Sequence, residues 1–348
     1  MNSLPAVTVI LPVRNEINFI ERSLGAVLSQ DYPSDLMEVI VTDGMSTDGT
    51  REVIENLQAQ HDNLTVIDNA GKIVPTGLNA ALRLAKGQVI IRVDGHCEIA
   101  TDYVARCVQH LLEDGVEGVG GPIHTIGETT RAHAIALAMS SSFGVGGAAF
   151  RTVRDRKMFV ETVAFPAYTR EAIEKAGFFD EELVRNQDDE YNYRLLELGG
   201  RILLSPDIHS RYYSRSSLTS LWRQYFQYGI WKVRVMQKHP LKMRPRHFVP
   251  FLFSASLLVS FLLAIFFVIG KWMFGFVLSS YIIANVGASI LNFRRGNWRV
   301  MALIPITFAI LHLAYGFGFM LGLVKFWDRW AKAETICHIP KRESVKRI

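Results

Sequence analysis

Between Ile208 and Trp327 the chain carries no aspartate or glutamate. That asymmetry divides the sequence and limits what its second part can fold into. Ile208 to Arg246 holds nine lysines and arginines, and the remainder is dominated by apolar residues. Phe248 to Gly270 is a 23-residue run without a charge, and Met273 to Leu291 and Met301 to Val324 are two more. A membrane helix needs about 20 mostly apolar residues, more than most core helices contain. The sequence therefore predicts a membrane region over 247–326, with spans near 248–270, 273–291 and 301–324. Pro305 marks a kink or a break in the third.

The formal charge of +5 thus belongs to a basic region beside an apolar one, which points to a membrane surface rather than to nucleic acid. Residues 216–246 read as a basic amphipathic interfacial segment. Leu218, Leu221, Trp222, Tyr225 and Tyr228 gather on one side, and Arg223, Arg234 and Lys238 turn more to another. The early apolar run Val7–Val13 is too short for a signal peptide and contains Pro12, so residues 1–215 are expected in the cytoplasm. Arg294, Arg295 and Arg299 favour the same side. Three complete spans would carry the basic tail, 327–348 with Lys341, Arg342, Lys346 and Arg347, to the opposite side. Either the third segment is re-entrant or the tail is an exception to the positive-inside tendency. Cys97, Cys107 and Cys337 form no CxxC pair and no even-numbered framework, which fits a reducing compartment.

The first hundred residues alternate between short β-branched runs and helical patterns. Val7–Leu11, Glu38–Thr42, Leu64–Ile67 and Val89–Val93 read as strands. Glu16–Ser29, Thr50–Gln60 and Pro75–Lys86 read as helices, the last with proline at its start. This is the pattern of an α/β fold with a mostly parallel sheet flanked by helices. Neither GxGxxG nor GxxxxGK[ST] occurs, so the common dinucleotide and P-loop readings lack support.

Ligands of such sheets bind beyond the carboxyl ends of the strands, and three acidic clusters are delivered there. The first is Asp43-Gly44-Met45-Ser46-Thr47-Asp48-Gly49. The second is Asp94-Gly95-His96, which ends the run Val89–Val93 with two side chains able to bind metal. The third is Asn186-Gln187-Asp188-Asp189-Glu190, ahead of a helical pattern. Together they suggest a nucleotide diphosphate, a metal and a base. Each has a plainer alternative: a turn aspartate bonding its own backbone for Asp43, a structural histidine for His96, and an acidic helix start for Asp188. Asp48, just before a helix, reads as a cap.

In this order the motifs resemble the family 2 glycosyltransferases, whose fold is called GT-A. Val7 to Glu16 is similar to that family's opening strand, Asp43–Gly49 to its nucleotide-binding turn, Asp94-Gly95-His96 to its DxD motif, and Gln187-Asp188 to its Glu-Asp pair. The likeness covers about the first 240 residues. With the three terminal apolar runs it extends to membrane-attached enzymes of bacterial exopolysaccharide assembly, such as the succinoglycan glucosyltransferases. The resemblance implies that Val13, Glu16, Asp43 and Asp94 bind the nucleotide; Lys72, after Asn69-Ala70-Gly71, reads either as a contact to the diphosphate or as a solvated loop lysine. It also implies that Asp94 and His96 serve a divalent cation, Mn²⁺ or Mg²⁺, with His96 either a ligand or a hydrogen-bond partner of phosphate. Asp188 would be the general base of an inverting transfer. The implied partners are a UDP-sugar donor, glucose favoured, a lipid-linked saccharide acceptor, membrane lipids and other proteins of exopolysaccharide assembly. The implied location is the bacterial inner membrane, multi-pass, with the catalytic domain cytoplasmic. A processive synthase, a polyprenyl-phosphate sugar synthase and a non-catalytic membrane scaffold are the competing readings.

Overall fold

The computed structural model describes residues 4–292 and 298–330. Arg294, Arg295, the tail from 331 and Cys337 lie outside the described residues. The chain opens with β1 (Val7–Val13), α1 (Ile20–Leu28), β2 (Met37–Asp43), α2 (Thr50–Gln58), β3 (Leu64–Asp68), α3 (Val74–Leu84) and β4 (Val89–Arg92). It continues through β5 (Cys97–Ile99), α4 (Tyr103–Glu113), β6 (Gly118–Gly120), β7 (Ile123–Ile126) and the short helices α5 (Thr130–Met139), α6 (Ser142–Val145) and α7 (Ala149–Thr152). Then come β8 (Met158–Phe159), β9 (Ala167–Thr169), α8 (Arg170–Ala176), α9 (Gln187–Glu197), β10 (Ile202–Leu204) and β11 (Ser210–Tyr213). Four long helices close the described chain: α10 (Leu218–Lys238), α11 (Val249–Phe266), α12 (Val268–Asn292) and α13 (Trp298–Lys325).

Two compact units result among the described residues, one of 4–123 and 153–211, the other of 124–152 and 212–330. In the first, eight strands form a sheet in the order β3-β2-β1-β4-β9-β6-β10-β8. The first four are mutually parallel, as are β6 and β10, whereas β9 and β8 run antiparallel to their neighbours. Every residue of β1 and β4 is buried, as expected of strands covered on both faces. The strand readings hold to within two residues. The first helix starts at Ile20 rather than Glu16, because Asn15 is left-handed with φ 54° and the backbone N–H of Glu16 donates to Thr50 Oγ1 at 2.8 Å. Residues 14–19 are therefore a loop at the sheet edge.

In the second unit α11 and α12 form an antiparallel hairpin that breaks at Phe267, three residues earlier than the sequence reading. Gly270 there lies against the Leu263 and Ala264 backbone. α13 runs unbroken through Pro305. The three helices are long and apolar enough to cross a membrane. α10 packs along α13, and Arg234, assigned above to a polar face, is 2% exposed. Its Nη1 donates to Gln237 Oε1 at 3.2 Å and to the Arg329 carbonyl at 3.4 Å. Arg223 stays exposed and Lys238 half-buried, so of these three basic residues only Arg234 is taken into the protein.

Candidate active site

The carboxyl ends of β1 and β2 meet at one rung, where Val13 pairs with Asp43 and Gly44 N–H donates to the Val13 carbonyl at 2.8 Å. The loops beyond are laced together. Asn15 N–H donates to Ser46 Oγ, and Thr47 N–H to Asn15 Oδ1, each at 2.9 Å. Asp48 accepts from Ile17 N–H at 3.2 Å and from the Thr50 hydroxyl at 2.5 Å, so it ties the two loops while opening α2. Asp43 is only 3% exposed. Its carboxylate accepts the Ser46 hydroxyl at 2.5 Å and the Ser46 N–H at 3.2 Å, and Arg51 Nη1 lies 3.7 Å away. The plain turn role of Asp43 is therefore present. Lys72 is exposed on a left-handed backbone with φ 58°, and its carbonyl accepts from Arg14 Nη1 at 3.3 Å.

The next strand end carries Asp94 and His96. Gly95 is required between them by a close approach: a Cβ there would lie 2.8 Å from Val13 Cγ1. The turn is pinned by Ser23 Oγ, which donates to the Asp94 carbonyl at 2.9 Å and to the Cys97 carbonyl at 2.6 Å. His96 Nδ1 stands 3.0 Å from Glu16 Oε1, with side chains 15% and 16% exposed. Val13, Glu16, Gly95 and His96 thus converge. Cys97 is fully buried, and desolvation pushes its thiol well above the ordinary range, which makes it a packed thiol.

One residue that the motif reading passed over organises this edge. Arg92 ends β4, is 7% exposed, and donates from Nε and Nη2 to Asp94 Oδ1 at 3.1 and 2.9 Å. Burial opposes the Arg92 charge, and Asp94 and then Asp188 outweigh it, raising its pKa. For Asp94 burial likewise opposes ionisation. Arg92 and His96 overcome that penalty and hold the carboxyl below its usual value. The signal was available in the sequence: a lone arginine inside Val89-Ile90-Ile91-Arg92-Val93 has to be paired if the run is a buried strand.

The third cluster opens α9, after Asn186 in the left-handed region at φ 60°. Its three carboxylates have different fates. Glu190 is 4% exposed and forms a two-pronged pair with Arg194, at 2.9 and 2.8 Å. Arg194 also donates to the carbonyls of Ala176 and Phe178. Glu190 therefore does not act as the repelling neighbour of Asp188 that the clustering suggests. Asp188 accepts the Asp189 N–H at 3.0 Å. Burial first, and the Asp189 charge second, raise its carboxyl above the usual range, with Arg92 opposing. Tyr191 stacks on Phe179 at 4.1 Å, and Tyr168 donates to Asn192 at 2.6 Å, so the helix is held rigidly. Phe179 is 4% exposed and belongs to the core.

Among the described residues no group of three or more His, Cys, Asp or Glu side chains is placed to hold a metal by itself. The donors nonetheless suit a shared ion. Arg92 engages Asp94 through a single carboxylate oxygen, Oδ1. Mg²⁺ is commonly held by one or two carboxylates completed by water and substrate phosphates, and an imidazole moves preference toward softer ions such as Mn²⁺. Asp94 and His96 fit such a site.

A parallel half-sheet with loops and carboxylates collected at its carboxyl edge defines a GT-A type transferase fold. A model described as "Glycosyl transferase family 2" matches residues 8–177. The succinoglycan biosynthesis protein ExoA of Rhizobium meliloti is 30% identical over 332 residues, covering 93% of this chain and 96% of its own. A Methanococcus voltae dolichyl N-acetyl-α-D-glucosaminyl phosphate 3-β-D-2,3-diacetamido-2,3-dideoxy-β-D-glucuronosyltransferase is 27% identical over 327 residues, covering 92% and 97%. The mannosyltransferase PcManGT of Pyrobaculum calidifontis, solved with GDP-Man and Mn²⁺, is similar in fold, with TM-score 0.56 at 21% identity over 93% of this chain and 88% of its own. The chain belongs to glycosyltransferase family 2, and it is a transferase of polysaccharide or glycan biosynthesis.

Proposed function

We propose that this protein is an inverting glycosyltransferase that moves a hexose, glucose favoured, from a UDP-sugar to a lipid-linked saccharide in exopolysaccharide assembly. It works at the cytoplasmic face of the bacterial inner membrane. The observation that carries the reading is the buried Arg92–Asp94 pair at the end of β4, 2.9 Å, whose arginine charge also acts on Asp188, while the two carboxyls shift in opposite directions. Asp94 stays ionised, as a group facing a metal–diphosphate must. Asp188 is pushed toward the proton, which suits a base that must take one from a sugar hydroxyl near neutral pH. Such a base contributes about 10²–10⁴-fold. A single displacement with Asp188 on the acceptor side inverts the anomeric centre.

Asp94 and His96 would hold the divalent cation, which when bound neutralises the charge developing on the departing diphosphate. Val13, Glu16 and the Asp43 turn form the nucleoside side, with Lys72 at its rim. Because Asp43 is buried and closes its own turn, the loop's backbone carries more of the base recognition than its carboxylate. The lipid-linked acceptor is supported by the Methanococcus relative, whose name describes transfer to a dolichyl-linked sugar phosphate, and by three helices able to enter a membrane.

The test is UDP or GDP release by detergent-purified protein. It would be given UDP-glucose, other UDP-sugars or GDP-mannose, with a membrane lipid extract and Mn²⁺ or EDTA. Turnover that requires UDP-sugar, metal and lipid, and that collapses in Asp188→Asn and Asp94→Ala, supports the reading. Equal metal-independent release in all three proteins would reject the site assignment. Turnover with GDP-mannose alone would reject the donor.

A further inference from the structure

We propose that Arg151, with Tyr212 and Tyr228, forms a second binding site, one that takes the phosphate of a lipid-linked sugar. It rests on the lipid-linked acceptor proposed above and names the group by which that acceptor is held. Every residue of the site belongs to the second unit, where acids are nearly absent. Residues 124–152 and 212–330 include only Glu128 and Asp328. Arg151 lies on α7 and is half-buried, and among the described residues it forms no ion pair. A guanidinium offers five N–H donors. The hydrogen bond that Arg151 makes, to Thr125 Oγ1, is long at 3.5 Å.

Aromatic rings hold the charge instead. Arg151 Cζ lies 5.3 Å from the Phe150 ring centroid and 5.6 Å from that of Tyr212, within the about 6 Å at which a ring face attracts a cation. Ring faces stabilise a cation without consuming its N–H groups, so the guanidinium fork stays available to an anion. Burial raises the pKa of Tyr225, and the Arg151 charge opposes that rise, so the Tyr225 hydroxyl also lies within reach of this cation. A planar fork suits phosphate, which it binds through two parallel hydrogen bonds. Phosphate has further oxygens for tyrosine hydroxyls, where a carboxylate has none left.

The two tyrosines are joined by Gln224. Its Nε2 donates to the Tyr228 hydroxyl at 2.8 Å and to the Tyr212 hydroxyl at 3.4 Å, while its Oε1 is buried with no donor against it. Buried polar atoms are normally paired, and a sugar hydroxyl entering beside the tyrosines would supply that donor. Gln224 and Tyr228 belong to α10, which α13 fixes in place. A Cβ on Gly318 would lie 2.1 Å from the Phe226 carbonyl, and one on Gly322 2.6 Å from the Ile230 carbonyl. Thr125 of β7 and Tyr212 of β11 are tied as well, since Ser214 N–H donates to the Ile126 carbonyl at 2.9 Å.

Arg151 is delivered by a turn through Gly146 and Gly147, both left-handed at φ 62° and 73°, between α6 and α7. Ahead of that turn α6 is anchored: a Cβ on Gly144 would lie 2.1 Å from the Ala138 carbonyl, and His312 Nε2 donates to the Phe143 carbonyl at 2.8 Å. Arg246 brings a second cation, its Cβ 3.1 Å from where a Gly146 Cβ would stand. The same unit carries the hairpin of α11 and α12, with Phe266 78%, Trp272 75% and Ile283 73% exposed. Apolar surface of that kind fits hydrocarbon, so one unit offers both a cation for a phosphate and a surface for the lipid attached to it.

The deciding experiment measures binding of farnesyl phosphate, farnesol, glucose 1-phosphate and inorganic phosphate to the full-length protein in detergent. Wild type, Arg151→Gln and Arg151→Lys are compared, with UDP affinity by calorimetry as the check that each is folded. Farnesyl phosphate should bind wild type at least about tenfold more tightly than farnesol does. Arg151→Gln should lose about 10–100-fold in farnesyl phosphate affinity, the effect of a hydrogen bond to a charged group. Arg151→Lys should fall between, because it keeps the charge without the fork. Equal binding of farnesyl phosphate and farnesol by wild type would overturn the proposal, and that comparison stands even if the variants fail to fold. Equal farnesyl phosphate affinity in three folded proteins would overturn it too. Glucose 1-phosphate or inorganic phosphate binding as tightly as farnesyl phosphate, with the same loss in Arg151→Gln, would overturn the lipid-linked source. None of these results alters the metal-dependent UDP release tested above, so failure of this site and failure of the transferase reading are told apart.

Discussion

Replacing Arg92 with methionine keeps most of the buried stem and removes its charge. Two hydrogen bonds to the Asp94 carboxylate, at 3.1 and 2.9 Å, are lost. Hydrogen bonds to a charged group contribute about 1.5–3 kcal/mol each. Breaking a buried pair by removing one partner costs about 3–5 kcal/mol, mostly because the other charge is stranded. The Asp94 side chain is 23% exposed, so water recovers part of that, and the lower end, about 3 kcal/mol, is expected. Asp94→Asn removes the stranded charge, so Arg92→Met should cost far less in that background. The resulting double-mutant cycle should give a coupling of about 2–3 kcal/mol, measured by denaturant unfolding in detergent. Turnover should fall too, and the acid limb of the rate profile should move up, because Arg92 also opposes the raised pKa of Asp188. A coupling below about 0.5 kcal/mol, the level at which independent sites simply add, would refute the view that Arg92 organises this edge.

Asp188→Asn should lower turnover by about 10²–10⁴-fold while leaving UDP affinity unchanged by calorimetry. Burial and Asp189 raise the folded-state pKa of Asp188, so ionising it costs more in the fold than in the unfolded chain. The stability of the protonated state is present below the unfolded pKa and is lost as pH rises through the folded one. The Asn variant should therefore melt above wild type at pH 7 and lose that advantage toward pH 4. Glu190→Gln strands Arg194 and should destabilise by about 3–5 kcal/mol, read from the denaturant midpoint; an unchanged midpoint would mean that the pair is not buried as described. Gly318→Val should cost at least about 1–3 kcal/mol through overpacking against α10. Gly275→Val, where nothing lies within 4 Å of the new Cβ, serves as the neutral comparison in the same thermal scans.

Much of this molecule is written in local pattern. The alternation of β-branched runs and helical stretches located β1, β2, β3 and β4, because strand and helix periodicities are set within a few residues. The acidic turns after those strands marked the candidate site's edge, since parallel strands present their carboxyl ends together. The apolar runs marked α11, α12 and α13, because length and the absence of charge are composition.

What the sequence could not determine is which polar groups neutralise each other and which apolar helices find protein partners. Asp188, Asp189 and Glu190 look alike in a row of acids, yet Arg194 takes Glu190 and leaves Asp188 beside Arg92. Asp43 offers a carboxylate that Ser46 already occupies. Residues 124–152 join the helical unit across the intervening segment 153–211, and α13, as apolar as its neighbours, becomes a packed helix because Gly318 and Gly322 admit α10. Periodicity depends on neighbours in the chain and is therefore legible in it. Charge pairing and helix packing depend on distances between residues far apart in sequence, and only the tertiary structure sets those.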